Sequence, residues 1–131
     1  MVWSSPGRNS DTCFFHEGLG CVSMWRDFPE KLLRKTSCSA LVFSRLGYGK
    51  SDLFDFPRPL NFLHKEVLVE LPKILSEDNI GQYLLIGHSD GASITLIYGR
   101  EYSGKSMLGT ISEAPHVFCE PITILSIKKI K

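Results

Sequence analysis

Ser89 stands in the pentapeptide Gly87-His88-Ser89-Asp90-Gly91, a spacing that can turn a serine hydroxyl into a nucleophile. In a G-x-S-x-G segment a strand turns abruptly into a helix and thrusts the serine into a cleft. The turn is so tight that side chains two residues to either side of the serine would collide, so glycine is needed there. So short a pattern also arises by chance, and its surroundings must decide. The apolar run Tyr83-Leu84-Leu85-Ile86 in front reads as a strand. Behind it, Ala92, Ile94, Leu96, Ile97 and Tyr98 read as a helix. The chemistry this context supports is that of a serine nucleophile.

The elements that must hold such a serine can be read along the chain. Residues 1–12 are polar and turn-rich, with Pro6 and Gly7, and are expected to be poorly ordered. Cys13-Phe14-Phe15 reads as a short strand leading into His16-Glu17-Gly18-Leu19-Gly20. Trp25, Phe28, Leu32 and Leu33 recur at helical spacing and predict a helix over 24–35, with Pro29 near a start or a break. Ala40–Phe43 predicts a strand that ends in the loop Ser44–Asp52, and 54–60, with two prolines, reads as a connection. Leu63, Val67, Leu68, Leu71 and Leu75 predict a helix over 62–76, kinked at Pro72. After the Ser89 helix, 107–112 predicts a strand ending at Glu113-Ala114-Pro115-His116. Strands alternating with helices indicate an α/β class with a mostly parallel sheet and flanking helices. The candidate residues fall where strands end, which is where open α/β sheets place ligands.

Bulk properties narrow the function classes. The 131 residues fit one domain, and 43% hydrophobic with 22% charged residues is an ordinary globular balance. A net charge of +1 gives no electrostatic argument for nucleic acid or an anionic membrane, and Lys128, Lys129 and Lys131 read as a solvated terminus. No segment approaches the roughly 18 apolar residues that span a bilayer, and 1–12 lacks the apolar stretch of a secretory signal. Cys13, Cys21, Cys38 and Cys119 show no C-x-x-C and no zinc-type spacing. Cys13 and Cys119 lie in apolar runs, where a buried thiol behaves as a small hydrophobe. Reduced cysteines and a cytoplasmic location are expected. Neither a metal nor an organic cofactor is expected. Gly47-Tyr48-Gly49-Lys50-Ser51 lacks the spacing of a phosphate loop.

Four segments together resemble the α/β-hydrolase fold family. His16-Glu17-Gly18-Leu19-Gly20 is similar to the H-G-x or H-G-G-x-G loop after that family's third strand, with Glu17 in place of the usual glycine. Ser44–Asp52 is similar to the D-x-R-G-x-G-x-S loop after the fourth strand, with Ser44 in place of the usual aspartate. Gly87–Gly91 resembles the nucleophile elbow after the fifth strand, and Glu113–Phe118 the end of the sixth. They come in family order from about Cys13 to Pro121.

The resemblance implies a nucleophile at Ser89 and an oxyanion hole from the backbone N–H of Asp90 and from the Gly18–Leu19 loop. The positive end of the helix that begins at Asp90 favours the same developing charge. The family's remaining groups follow in the order acid, then histidine, after the seventh and eighth strands. By this resemblance the residues here are expected to correspond to strands three to six, with neither that histidine nor its usual acid among them. Glu113 stands where some members place their acid, although a polar residue capping a strand end is the plainer reading. His116 lies at the strand-six loop instead of the family's histidine position. His88 is expected to point away from the elbow, His16 to order the oxyanion loop and His64 to be solvated. None of the four is expected to serve as base.

Three readings stay open. One is a single partial hydrolase domain over 1–131, acting on an ester-like small substrate and inactive or very weak alone. Another is a hydrolase completed by a complementary chain, or by self-association through exposed sheet edges. The last is a non-catalytic module binding a small ligand or a partner.

Overall fold

The inner strands are rich in apolar residues because side chains pack on both of their faces, whereas the last strand alternates with exposed positions. The computed structural model describes residues 2–3, 11–55, 57–102 and 104–129. Four parallel strands make the sheet: β2 (Asp11–Phe15), β3 (Ser39–Val42), β4 (Tyr83–His88) and β5 (Met107–Glu113). The short β1 (Val2–Trp3) joins β3 antiparallel at one edge, giving the order β1-β3-β2-β4-β5. Alternation along each strand divides its side chains between the faces. On one face Cys13, Phe15, Leu41, Tyr83 and Leu85 pack with Val67, Leu71, Leu75, Ile94 and Tyr98. On the other, Phe14, Ala40, Val42 and Ile86 pack with Val22, Trp25, Leu32 and Leu33. Each fully buried Leu or Phe contributes about 1.5–3 kcal/mol.

The expected α/β class with a mostly parallel sheet is observed, and its four parallel strands are those expected to within two residues, whereas β1 is not among the strands expected. Two helices differ. The segment expected as one helix over 24–35 is a 3-10 turn, Val22–Trp25, a reversal at Arg26 (φ 50°) and then α1, Phe28–Lys35. Pro29 is the reason. It has no N–H to offer the Trp25 carbonyl and fits only the first turn of a new helix. The segment 62–76 forms α2 (Phe62–Lys65), a π-helical stretch (Glu66–Glu70) and α3 (Leu71–Glu77). Pro72 would crowd the Leu68 carbonyl in a plain α-helix, and the wider π turn ahead of it relieves that contact.

The expectation of poor order over 1–12 falls mainly on residues 1 and 4–10, outside those described. Val2–Trp3 pairs with β3, and Asp11 and Thr12 open β2 as buried residues. Cys119 is exposed, in contrast to the burial expected of it, whereas Cys13 is buried and its thiol is pushed up to about 12, chiefly by that burial. Past β5 the chain continues into α5, Pro121–Lys129. No helix among the described residues is long and apolar enough to cross a membrane.

Candidate active site

The turn from β4 into α4 (Asp90–Glu101) sets the centre of the site. Ser89 makes that turn with φ 55° and ψ −117°, a conformation that costs a residue with a side chain about 1–3 kcal/mol. Its neighbours hold it there. The Ser89 N–H donates to the Glu113 carbonyl at 2.9 Å, and its own carbonyl accepts the Ser93 N–H at 3.0 Å. Glycine is required on both sides. A Cβ on Gly87 would collide with the Gly91 backbone and stand 2.6 Å from the Ala92 nitrogen. One on Gly91 would collide with the Phe15 carbonyl and reach within 2.8 Å of the His16 oxygen. Gly91 therefore lets α4 ride against the end of β2, where the His16–Gly20 loop begins.

That loop is anchored from inside. His16 is buried, and its Nε2 accepts the Arg45 N–H at 3.0 Å. The proton accordingly sits on Nδ1, which donates to the Glu17 carbonyl at 2.8 Å. Burial holds the His16 pKa below its ordinary value, so the ring is a neutral brace. Arg45 is only 1% exposed. Its Nη2 donates to the Glu17 carbonyl at 3.2 Å and lies 3.9 Å from Asp90 Oδ2. Its Nε and Nη1 have no hydrogen-bond partner among the described residues, and the guanidinium carbon sits 4.7 Å from the centre of the Tyr48 ring. The Glu66 carboxyl, in the π-helical stretch, is raised by burial and drawn part of the way back by the charge of Arg45.

Gly18 faces the first helical residue so closely that a Cβ on it would stand 2.6 Å from Asp90 Oδ2. The loop and the helix N-terminus are thus neighbours, and Arg45 partly offsets the Asp90 charge beside them. Leu19, at the tip, is exposed.

His116 departs from expectation. Ala114 takes φ 50°, and the chain then folds back over the elbow through Pro115. His116 Nε2 comes to lie 2.8 Å from Ser89 Oγ. The His116 N–H donates to Ser93 Oγ at 2.9 Å, and the Ser93 hydroxyl faces the His116 carbonyl at 3.3 Å and the Ser89 carbonyl at 3.4 Å. Sequence reasoning set His116 aside and gave Ser93 no role. The only signal was a serine four residues after Ser89, on the same helical face.

Glu113 is not brought to His116. Among the described residues no hydrogen bond or ion pair joins Glu113 to it. Glu113 instead lines a cleft of about 290 Å³ with Glu17, Met24, Trp25 and His88. His116 borders a different cleft, about 370 Å³, lined also by Val117 and Phe118. His64 is exposed on α2. No three His, Cys, Asp or Glu residues among those described are grouped to hold a metal ion.

No protein-family model and no curated protein matches the sequence. Solved structures do match the fold. A monoacylglycerol lipase from Paleococcus ferrophilus is 17% identical, with a TM-score of 0.77, over 99% of this chain and 49% of its own. A thermophilic esterase from Thermogutta terrifontis is 15% identical, with a TM-score of 0.77, over 99% of this chain and 45% of its own. A carboxylesterase structure from the thaumarchaeon Nitrososphaera gargenis is 20% identical, with a TM-score of 0.76, over 99% and 51%. The chain spans about half the length of the structures it matches. With the strand order, the elbow between β4 and α4 and these likenesses in agreement, the chain has an α/β-hydrolase fold over that half.

Proposed function

We propose that this chain carries the nucleophile portion of a serine hydrolase for an ester-like small substrate, and that its turnover alone is very weak. Ser89 attacks the acyl carbonyl, and the backbone N–H groups of Asp90 and of the Gly18–Leu19 loop take up the charge that develops on oxygen. One observation carries this reading: a serine at φ 55° in a strand-to-helix turn whose flanking glycines leave no room for a Cβ. The esterases and lipase of like fold favour the ester class. Weak turnover follows from the surroundings of His116. Among the described residues no carboxylate engages His116, and loss of that member of a triad lowers turnover roughly ten-thousandfold. The four free cysteines accord with a cytoplasmic setting.

Hydrolysis of p-nitrophenyl acyl esters by the purified chain, beside Ser89→Ala, tests this. Slow release of p-nitrophenol that vanishes in Ser89→Ala is expected. Release that survives the substitution places the activity elsewhere and ends the proposal.

The sheet edge favours a second reading, completion by a complementary chain or a second copy. β5 is last in the sheet order, and Leu108 and Ile111 on it are 53% and 52% exposed. Sedimentation of the purified chain at rising concentration reads self-association directly.

A further inference from the structure

We propose that His116 is the proton acceptor for Ser89 and that Ser93 positions it, so that this chain holds a serine–histidine dyad built on one helix. The proposal rests on the reading of Ser89 as nucleophile. The geometry begins with α4. Ser89 and Ser93 are four residues apart and stack on the same face of the helix. Ser93, buried, grips the main chain of His116 by its N–H at 2.9 Å and faces its carbonyl at 3.3 Å. That grip leaves the ring to extend back along the helix by about one turn, where Nε2 meets Ser89 Oγ at 2.8 Å. The left-handed Ala114 and the rigid Pro115 direct the loop to this place. No other histidine competes, because His16 has both ring nitrogens engaged, His88 opens on the other cleft and His64 is exposed on α2.

The step balances without a further reactant. Ser89 Oγ bonds to the acyl carbon as its proton passes to His116 Nε2. The carbon–oxygen bond to the alcohol then breaks, and the departing oxygen takes the bonding pair and the proton from His116. Water repeats the sequence, giving its proton to His116 and releasing the acid and the Ser89 hydroxyl.

The test is the rate at which a fluorophosphonate labels Ser89, with fluoride as leaving group. His116→Ala should slow labelling by about 10²–10⁴-fold, and added imidazole should restore part of the loss, which a merely structural histidine would not allow. Ser93→Ala should slow it by about tenfold, the worth of a hydrogen bond, and should add nothing on the His116→Ala background, since it acts through His116. His116 is exposed, so its variants keep the fold, and the imidazole arm decides the matter even if Ser93→Ala does not fold. Ser89-dependent labelling at an unchanged rate in His116→Ala, or a loss that imidazole cannot restore, overturns the dyad and leaves Ser89 as nucleophile. Absence of Ser89 labelling in the unmodified chain overturns both.

Discussion

The two sides of Ser89 are built differently. On one side the His16–Gly20 loop rests on buried groups: His16 between Arg45 and Glu17, Arg45 under Asp90, and Gly91 against Phe15. On the other, His116 is exposed and is tied to the body of the protein through Ser93 and Ser89. The proposed oxyanion side is thus anchored on the core, although Leu19 at its tip is exposed, and the proton-transfer side is attached at the surface. A group that must stabilise charge without moving benefits from a rigid, water-excluded setting. One that must accept and release a proton needs only hydrogen-bond reach.

This contrast can be broken or sharpened by substitution. The largest effect is expected from Gly91→Ala. Its Cβ would enter the Phe15 carbonyl, and about 3 kcal/mol or more of stability should be lost, read from the urea midpoint. If the midpoint does not move, the core side is more adaptable than its packing implies.

Acid should come next. The His16 pKa is depressed in the folded protein, so the unfolded chain binds the proton first. Stability is then full above the ordinary value of 6.5 and is lost as pH falls through it. Urea unfolding at descending pH should show this loss, and His16→Gln, though less stable at neutral pH, should not show it.

Glu66 works in the opposite sense and more weakly. Its folded pKa is raised, chiefly by burial, so its contribution is full below the ordinary value of 4.5 and is lost as pH rises through the raised value. Glu66→Gln should therefore be modestly more stable than the parent at pH 7, and the gain should disappear in acid. The smallest effect on stability belongs to His116→Ala, within about 0.5 kcal/mol, as for other exposed positions. A large fall would mean that the attached side also supports the fold.

Much of this was legible in the sequence because it is local. The elbow is five residues long, and its glycines are dictated by clashes within one turn and with the strand beside it. The strands are legible as apolar runs. Pro29 and Pro72 announced interruptions, although the forms they took, a new helix start and a π-helical stretch, depended on how each segment packs. His116 was not legible. Its value comes from Ala114 in a left-handed conformation and from a serine on another element, and neither leaves a pattern in the order of residues. Glu113 shows the converse, an acid at a plausible place in the chain whose side chain lies on a cleft away from His116.

By itself, then, the sequence determined the parallel strands, the helices between them and a serine held in a strained turn, because alternation, helical spacing and glycine sterics act over a few residues. Only the tertiary structure decided which histidine meets that serine, across 27 positions of chain, and which arginine lies beneath Asp90. Such contacts depend on where the sheet and α4 bring separate loops together, and the spacing along a chain does not contain that distance.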